Sequence, residues 1–531
     1  MSKSRGGFHY SDKHPILARM ADKKQIISDD HYVRDNDSDE LDDEPQTDWK
    51  SIYCAAILSF VGSIQSNLYQ SSMFPHLKIL DKNMSETFFG LTIGLYSLGQ
   101  VITSPLFGVW SNRIKRVTPP LTVGLMLMLI GNLIYIAMEV IHVVPKRYLL
   151  LISRLVVGAG SGNVSVLRSY ASTASIDADR SKAIAYVTCG QSLGLVVGPA
   201  FQLLFLNLEH PGIKIFHSPL SLSLYTGPPW AAFFMNLMGL VMLYLMFKES
   251  YAGVIDTPAA SDVEKSPAKI PKPDGLAVFI CYLSRFADMY IRSALEALAS
   301  PLSMMYFTIT EATVVAYQAK AQGIVGALTF LTYLAYIFLK LERYIKLRIG
   351  CVVALIGLLL FHLITFSWPF LPNKVNIANI TTNYTLGCDA TRFSWCNDLP
   401  AVNIWVYYIS YSIIIGLSFP MLTISLNTLF SKVLGPVRQG TEQGLLQASS
   451  GVARMVSPIA SSSLYTGYGP QAVWLMEFFV IGSTISTWLV FYGRMIPLQL
   501  PPSLRRASTR SVHKSSTKIS TRSDSRRVHP V

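Results

Sequence analysis

Charge is scarce in this chain. Only 15% of its 531 residues are Asp, Glu, Lys or Arg, and half are hydrophobic. A soluble protein of this length would show short amphipathic elements instead, so that class is excluded. Cysteine is scarcer still, six in all, with no C-x-x-C pair and no Cys/His grouping at metal-ligand spacing. No serine, cysteine or metal constellation sits on a loop at catalytic spacing, so an enzyme has no support and no cofactor is expected. A cleavable leader is missing as well. The first apolar run follows about fifty polar residues and must serve as its own insertion signal.

What the chain has is long apolar runs. Twelve stretches lie at roughly 51–72, 88–109, 118–141, 148–170, 183–206, 229–247, 275–300, 311–339, 349–371, 403–429, 440–466 and 470–493. About 20 apolar residues cross the ~30 Å hydrocarbon layer as a helix. The expected fold is an all-α membrane protein with twelve transmembrane helices. They divide into two six-helix bundles, 51–247 and 274–494, joined by a polar linker at 248–273 and flanked by tails at 1–50 and 495–531.

Loop charge gives the sidedness. An even number of crossings puts both tails on one side, and the loops there carry Arg113, Lys115, Arg116, Arg180, Lys182, Lys265, Lys269, Lys272, Arg343, Lys346, Arg348, Lys432 and Arg438. Short basic loops stay cytosolic, so both tails are expected in the cytosol. The opposite loops hold three glycosylation sequons, at Asn83, Asn379 and Asn383, and glycan addition requires lumenal exposure. A fourth sequon, at Asn163, falls inside span four and is read as accidental. Cys388 and Cys396 share the loop 372–402, where a disulfide fits an oxidising compartment.

The halves read as copies of one unit. Gly190, Gly194 and Gly198 recur every four residues in span five, followed by Pro199; Ser449, Ala453 and Ser457 do the same in span eleven, followed by Pro458, an offset of 259. At an offset of 258, Gly158 meets Gly416 and Arg180 meets Arg438. Stripes of small residues let helix backbones approach closely in lipid, and proline permits a bend. The expectation is a pseudo-symmetric pair of bundles rocking about a central site.

Several strings carry a resemblance. Gly108-Val-Trp-Ser-Asn112-Arg113-Ile-Lys115-Arg116 resembles the loop signature of the major facilitator superfamily. Arg154-x3-Gly158-x-Gly160 is similar to that superfamily's second motif, and Gly190-x3-Gly194-x3-Gly198-Pro199 to its third, associated with antiporters. Tyr96-Ser-Leu-Gly-Gln100, Ser104-Pro-Leu-Phe-Gly108, Gly160-Ser-Gly-Asn163-Val, Arg168-Ser-Tyr170 and Ser431-Lys-Val-Leu-Gly435-Pro436 resemble one eukaryotic branch, that of ceroid-lipofuscinosis neuronal protein 7 (major facilitator superfamily domain-containing protein 8). The likeness runs from about residue 50 to 494. It implies residence in the endolysosomal membrane and movement of a small solute, with chloride conduction among the proposals. Asn112 replaces the usual Asp, and the Gly-Gly that closes the third motif after Pro199 is missing. Both departures weaken an assignment of proton antiport.

Charges inside spans are the candidate solute contacts, because a charge at the bilayer centre costs at least ~2.5–3.5 kcal/mol unless it faces a cavity or a partner. Arg154 and Asn163 in span four, Gln191 in span five, Arg285, Asp288, Arg292 and Glu296 on one face of span seven, Lys320 in span eight and Arg454 in span eleven make up that set. Glu296 is the protonation candidate, a carboxyl held away from water beside an acidic lumen. Cations outnumber acids, which favours an anionic solute. The stretch from Gly108 to Arg116, with the three glycine motifs and Pro458, is read as gating machinery that latches the halves.

The tails read as address and regulation. Asp12-x3-Ile16-Leu17 and Asp22-x3-Ile26-Ile27 loosely resemble acidic dileucine signals that adaptor proteins read. The basic C-terminal tail, with Arg505 and Arg506 ahead of Ser508, points to acidic lipid beside the bilayer rather than to nucleic acid. The leading function is a secondary carrier working by alternating access. A channel-like anion pathway and a non-transporting receptor or scaffold are the alternatives.

Overall fold

A computed structural model describes residues 46–501 apart from short stretches, the longer of them at 77–85, 255–270 and 378–386. The sorting and phosphorylation patterns and the sequons at Asn83, Asn379 and Asn383 lie outside the described residues.

Twelve spans cross in sequence. The first half holds Trp49–Asn67, Glu86–Ile114, Thr118–Ala137, the pair Lys146–Gly160 and Asn163–Thr173, Arg180–Gln202, and Gly227–Leu245. The second holds Gly275–Phe307, Glu311–Phe338, Leu347–Thr365, Ile404–Leu434, Gly440–Tyr468 and Pro470–Val490. Seven of these are long and apolar enough to cross a membrane by themselves. The other five are spans one, two, five, seven and eleven, and their polarity has a structural counterpart. They pack mainly on one another, one against five, seven against eleven and two against eleven, so their polar faces meet protein rather than lipid.

Two spans are broken. Span four breaks at Ser161-Gly162 before resuming at Asn163. Span ten passes through a π turn at Tyr411–Ile415 ahead of Pro420, whose missing N–H cannot continue the helical ladder.

Twelve crossings return Val490 to the side on which Trp49 begins, here called the tail face. The opposite, loop face carries the long loop after span nine. Its ends are bridged at Lys374 and Pro400, and its Cys388 and Cys396 form a disulfide with Cα atoms 5.9 Å apart. The Trp395 indole donates to Thr466 O at 3.4 Å and packs over Gly469. Gly469 adopts φ +83°, a left-handed backbone that glycine accepts without strain.

The repeat seen in the sequence has a spatial counterpart. Span five lies on span one so closely that a Cβ on Gly190 or Gly194 would stand 2.3 or 2.5 Å from the backbone oxygens of Ala56 and Phe60. Gly198 is buried on the same helix. Span eleven lies on span seven in the equivalent way, Ser449 and Ser457 donating to Tyr282 O and Tyr290 O at 2.8 and 2.5 Å. The small-residue stripes therefore weld each half internally; they do not join the halves. Helices containing Pro199 and Pro458 stay continuous.

Candidate transport pathway

The halves meet along spans two and eleven and along spans five and eight, two contacts that exchange under the repeat. At the tail face the contact is tight. Gly108 lies against the backbone of Gly440, where a Cβ would come within 2.2 Å of Gly440 O. The Asn112 side chain accepts from Gly440 N at 3.0 Å and donates to Thr441 Oγ1 at 3.0 Å. Arg438 donates to Lys115 O at 3.0 Å. Lys115 holds φ at 55°, the one non-glycine residue with positive φ among those described, and this turn positions its carbonyl in the contact. Arg113 and Arg116 are exposed. Within the stretch expected to latch the halves, the short side chain of Asn112 and the backbone of Lys115 make the contact and Arg113 does not, because Gly108 and Gly440 bring the helices too close for a long arginine between them.

Deeper in, Ser172 and Ser431 touch through their hydroxyls at 2.5 Å across a sequence separation of 259. That separation is within one residue of the offset of 258 that relates spans four and ten, so this pair lies close to the pseudo-twofold axis. One turn farther from the tail face, Arg168 is 1% exposed and its Nη2 donates to Gln191 Oε1 of the first half (3.0 Å) and Gln447 Oε1 of the second (3.1 Å). Ser192 and Tyr333 close the five–eight contact at 2.9 Å.

Beyond this barrier lie the charged candidates of the second half. Glu296 has an exposed side chain, yet Arg292, Arg454 and Tyr411, from spans seven, eleven and ten, all act on it electrostatically. It forms no ion pair within 4.0 Å among the described residues. Arg292 is half-buried, its guanidinium 4.0 Å from the centre of the Phe419 ring. Half-buried Arg454 approaches Met289 Sδ at 3.9 Å. Lys320 is exposed beside Tyr317, and Gln322 donates to Tyr411 at 2.9 Å.

Four other candidates are buried. Arg154 is buried over the ring of Tyr96, 4.6 Å from its centre. The reason is local: Gly158 admits the Tyr96 backbone, so spans two and four close around the arginine. Asn163 is buried and donates to Leu121 O at 3.0 Å, fitting against Gly124 at the break in span four, where Gly160 also meets the Gly124 backbone. Arg285 and Asp288 form a buried ion pair at 2.7 Å.

Two features escape a reading of the sequence as sites. One is Arg168. The other is His362 in span nine, fully buried against Glu477 of span twelve, with Nδ1 2.7 Å from Leu358 O. That carbonyl only accepts, so Nδ1 carries the hydrogen and Nε2 faces the Glu477 carboxyl. A lone acid in an apolar span is the signal for it.

Outside the spans, Glu249 ties the linker to the barrier. It accepts from Val117 N at 3.3 Å, Thr118 N at 2.9 Å and the hydroxyls of Thr118 and Tyr251. Tyr251 in turn lies 4.3 Å under the Arg438 guanidinium. Burial pushes the Glu249 carboxyl up, but these hydrogen bonds outweigh it and leave it below its ordinary value.

Residues 54–386 match the Major Facilitator Superfamily. The chain belongs to this superfamily. It is 28% identical over 480 residues to major facilitator superfamily domain-containing protein 8 of Xenopus laevis, covering 85% of this chain and 92% of that one. Among solved structures it superposes on the human organic anion transporter MFSD10 with a TM-score of 0.57 at 16% identity, covering 82% and 97% of the two chains. A bacterial homologue of the iron transporter ferroportin in an outward-facing state gives 0.58 at 10% identity, covering 83% and 99%. These structural likenesses show the fold.

Proposed function

We propose that this superfamily member is an endolysosomal secondary carrier that moves a small anionic solute by alternating access. The observation that carries the reading is a charge cluster: Arg292 and Arg454 act on a single carboxyl, Glu296, in what we read as the central hollow, while Asn112, Arg168, Ser172 and Arg438 seal the tail side. An anion entering from the loop face meets the cations before it meets the barrier. Glu296 is placed to take up a proton as the solute arrives, which would couple flux to an acidic lumen. The basic tail-side loops support cytosolic termini, and a lumenal loop face suits the disulfide. Likeness to major facilitator superfamily domain-containing protein 8 supports the endolysosomal branch, and MFSD10, which shares the fold, is itself an organic anion transporter.

The test is uptake of radiolabelled chloride and of a panel of small mono- and dicarboxylates into proteoliposomes holding the full chain. Arg454→Ala and Arg292→Ala are expected to cut the transported anion's uptake by about tenfold or more, and Glu296→Gln to remove its dependence on a pH gradient. Saturation and trans-stimulation mark a carrier, whereas current proportional to driving force marks a channel. Uptake unchanged in both arginine variants would overturn the anionic reading, and no flux of any kind would leave the receptor reading in its place.

A further inference from the structure

Directly beneath the hollow, on the pseudo-twofold axis, the closed barrier contains a cluster of buried polar groups that satisfy one another badly. Arg168 uses only Nη2; its Nε and Nη1 have no hydrogen-bond partner. Those two atoms carry three of the five guanidinium N–H donors. Asn427 is 0% exposed and both atoms of its amide lack partners. Gln443 is in the same condition, and Gln447 lacks a partner for Nε2. Buried polar atoms are paired in the great majority of cases, so four such side chains together need an explanation.

Helix geometry brings them to one place. Ser172 and Ser431 are in contact, and spans four and ten run in the same direction at that point. Arg168 and Asn427 each precede those serines by four residues, one turn along the same helix face. They therefore lie at one level, each one turn farther from the tail face than the touching serines. Gln447 already touches Arg168 at 3.1 Å, and Gln443 lies one turn below it on span eleven.

Charge decides what this cluster receives. Among the described residues Arg168 has no carboxylate within ion-pair distance; Arg285 nearby has its own, Asp288. An ionised group held away from water without a counter-charge is strongly unfavourable. Free N–H donors on a guanidinium and on rotatable amides make a set that receives an anion.

We propose that Arg168, Asn427, Gln443 and Gln447 bind one small inorganic anion of halide size on the axis, and that this ion stabilises the tail-side closure. The donors come from both halves, so the site is complete only while the halves are together. It is a ligand of the closed barrier and stands apart from whatever solute the hollow carries. Removing the ion leaves Arg168 uncompensated, which favours separation of the halves.

The test uses the full chain in lipid nanodiscs, unfolded thermally in sodium chloride, sodium bromide or sodium gluconate at equal ionic strength. Chloride and bromide are expected to raise Tm saturably, and gluconate, too large for a sealed chamber, to leave it unchanged. Arg168→Gln should raise the half-saturating chloride concentration by about tenfold or more. Asn427→Leu, which fills the chamber without touching the arginine, should abolish the difference between chloride and gluconate and serves if Arg168→Gln does not fold. Equal Tm values in all three salts would overturn the site, leaving water as its occupant. A chloride effect that survives both variants but disappears in Arg454→Ala would overturn it as well, placing the ion in the open hollow; the carrier reading would stand in either case.

Discussion

A single arginine can be fixed by its neighbours or left free to meet solute, and the difference decides its role here. Arg285 and Asp288 are locked together in the interior. Replacing Asp288 by Asn strands a buried cation and is expected to cost about 3–5 kcal/mol, while Arg285→Met with Asp288→Leu should recover most of it. Urea or thermal unfolding in nanodiscs measures both; equal losses in single and double variants would count against the pair being structural. Asn112 and Arg113 are adjacent yet opposite in kind. Asn112→Ala removes two contacts between the halves and should raise the reactivity of a cysteine placed in the tail-side barrier severalfold, whereas exposed Arg113→Ala should leave it as it was. Both belong to the stretch read from the sequence as the latch, and residue type does not say which of the two reaches the other half. Arg168 is easily passed over for a related reason. It lies near the end of an apolar run, where a cation reads as a membrane-side anchor, and only the contact of Ser172 with Ser431 shows that its helix continues along the axis.

At the scale of helices, the twelve spans are legible because length and lack of charge are enough to identify a membrane crossing. Interruptions are less so. The break at Ser161-Gly162 has small residues to announce it, but the π turn at Tyr411–Ile415 occupies an unbroken apolar run with no local signal beyond Pro420 downstream. The small-residue stripes are recognisable as close-packing faces, yet their partners are not deducible, since a stripe does not say which helix it receives. Caps follow the same logic. The N-terminus of the third span, at Thr118, is capped by Glu249 from about 130 residues away, a pairing that no local pattern records. Glu249→Gln is expected to cost about 1–2 kcal/mol at pH 7. Because the folded carboxyl titrates below its ordinary 4.5, its contribution is complete above that pH and fades as pH falls through the lower, folded value. Thermal melts of wild type and variant should therefore converge in acid; a gap that stayed constant from about pH 7 to 3 would show that the ionised carboxylate is not what stabilises.

For the molecule as a whole, the pseudo-twofold axis is what turns a helical bundle into a machine with two states. Contacts between spans one and five and between seven and eleven hold each half rigid, so motion has to occur where the halves touch. The axis pair is the natural place to stop that motion. Ser172→Cys with Ser431→Cys puts two thiols where hydroxyls now lie 2.5 Å apart, and oxidation there ties the halves shut at the tail face. For a carrier, in which every solute transferred requires those halves to separate, cross-linking should abolish flux and reduction with dithiothreitol should restore it. The native cysteines at 54, 189, 281 and 351 are buried, so the single variants, treated alike, provide the background. A pathway that conducts without rocking predicts the opposite, current persisting through the cross-linked protein. Flux that survives complete cross-linking would mean that solute crosses without parting Ser172 from Ser431, and alternating access about this axis would then be ruled out.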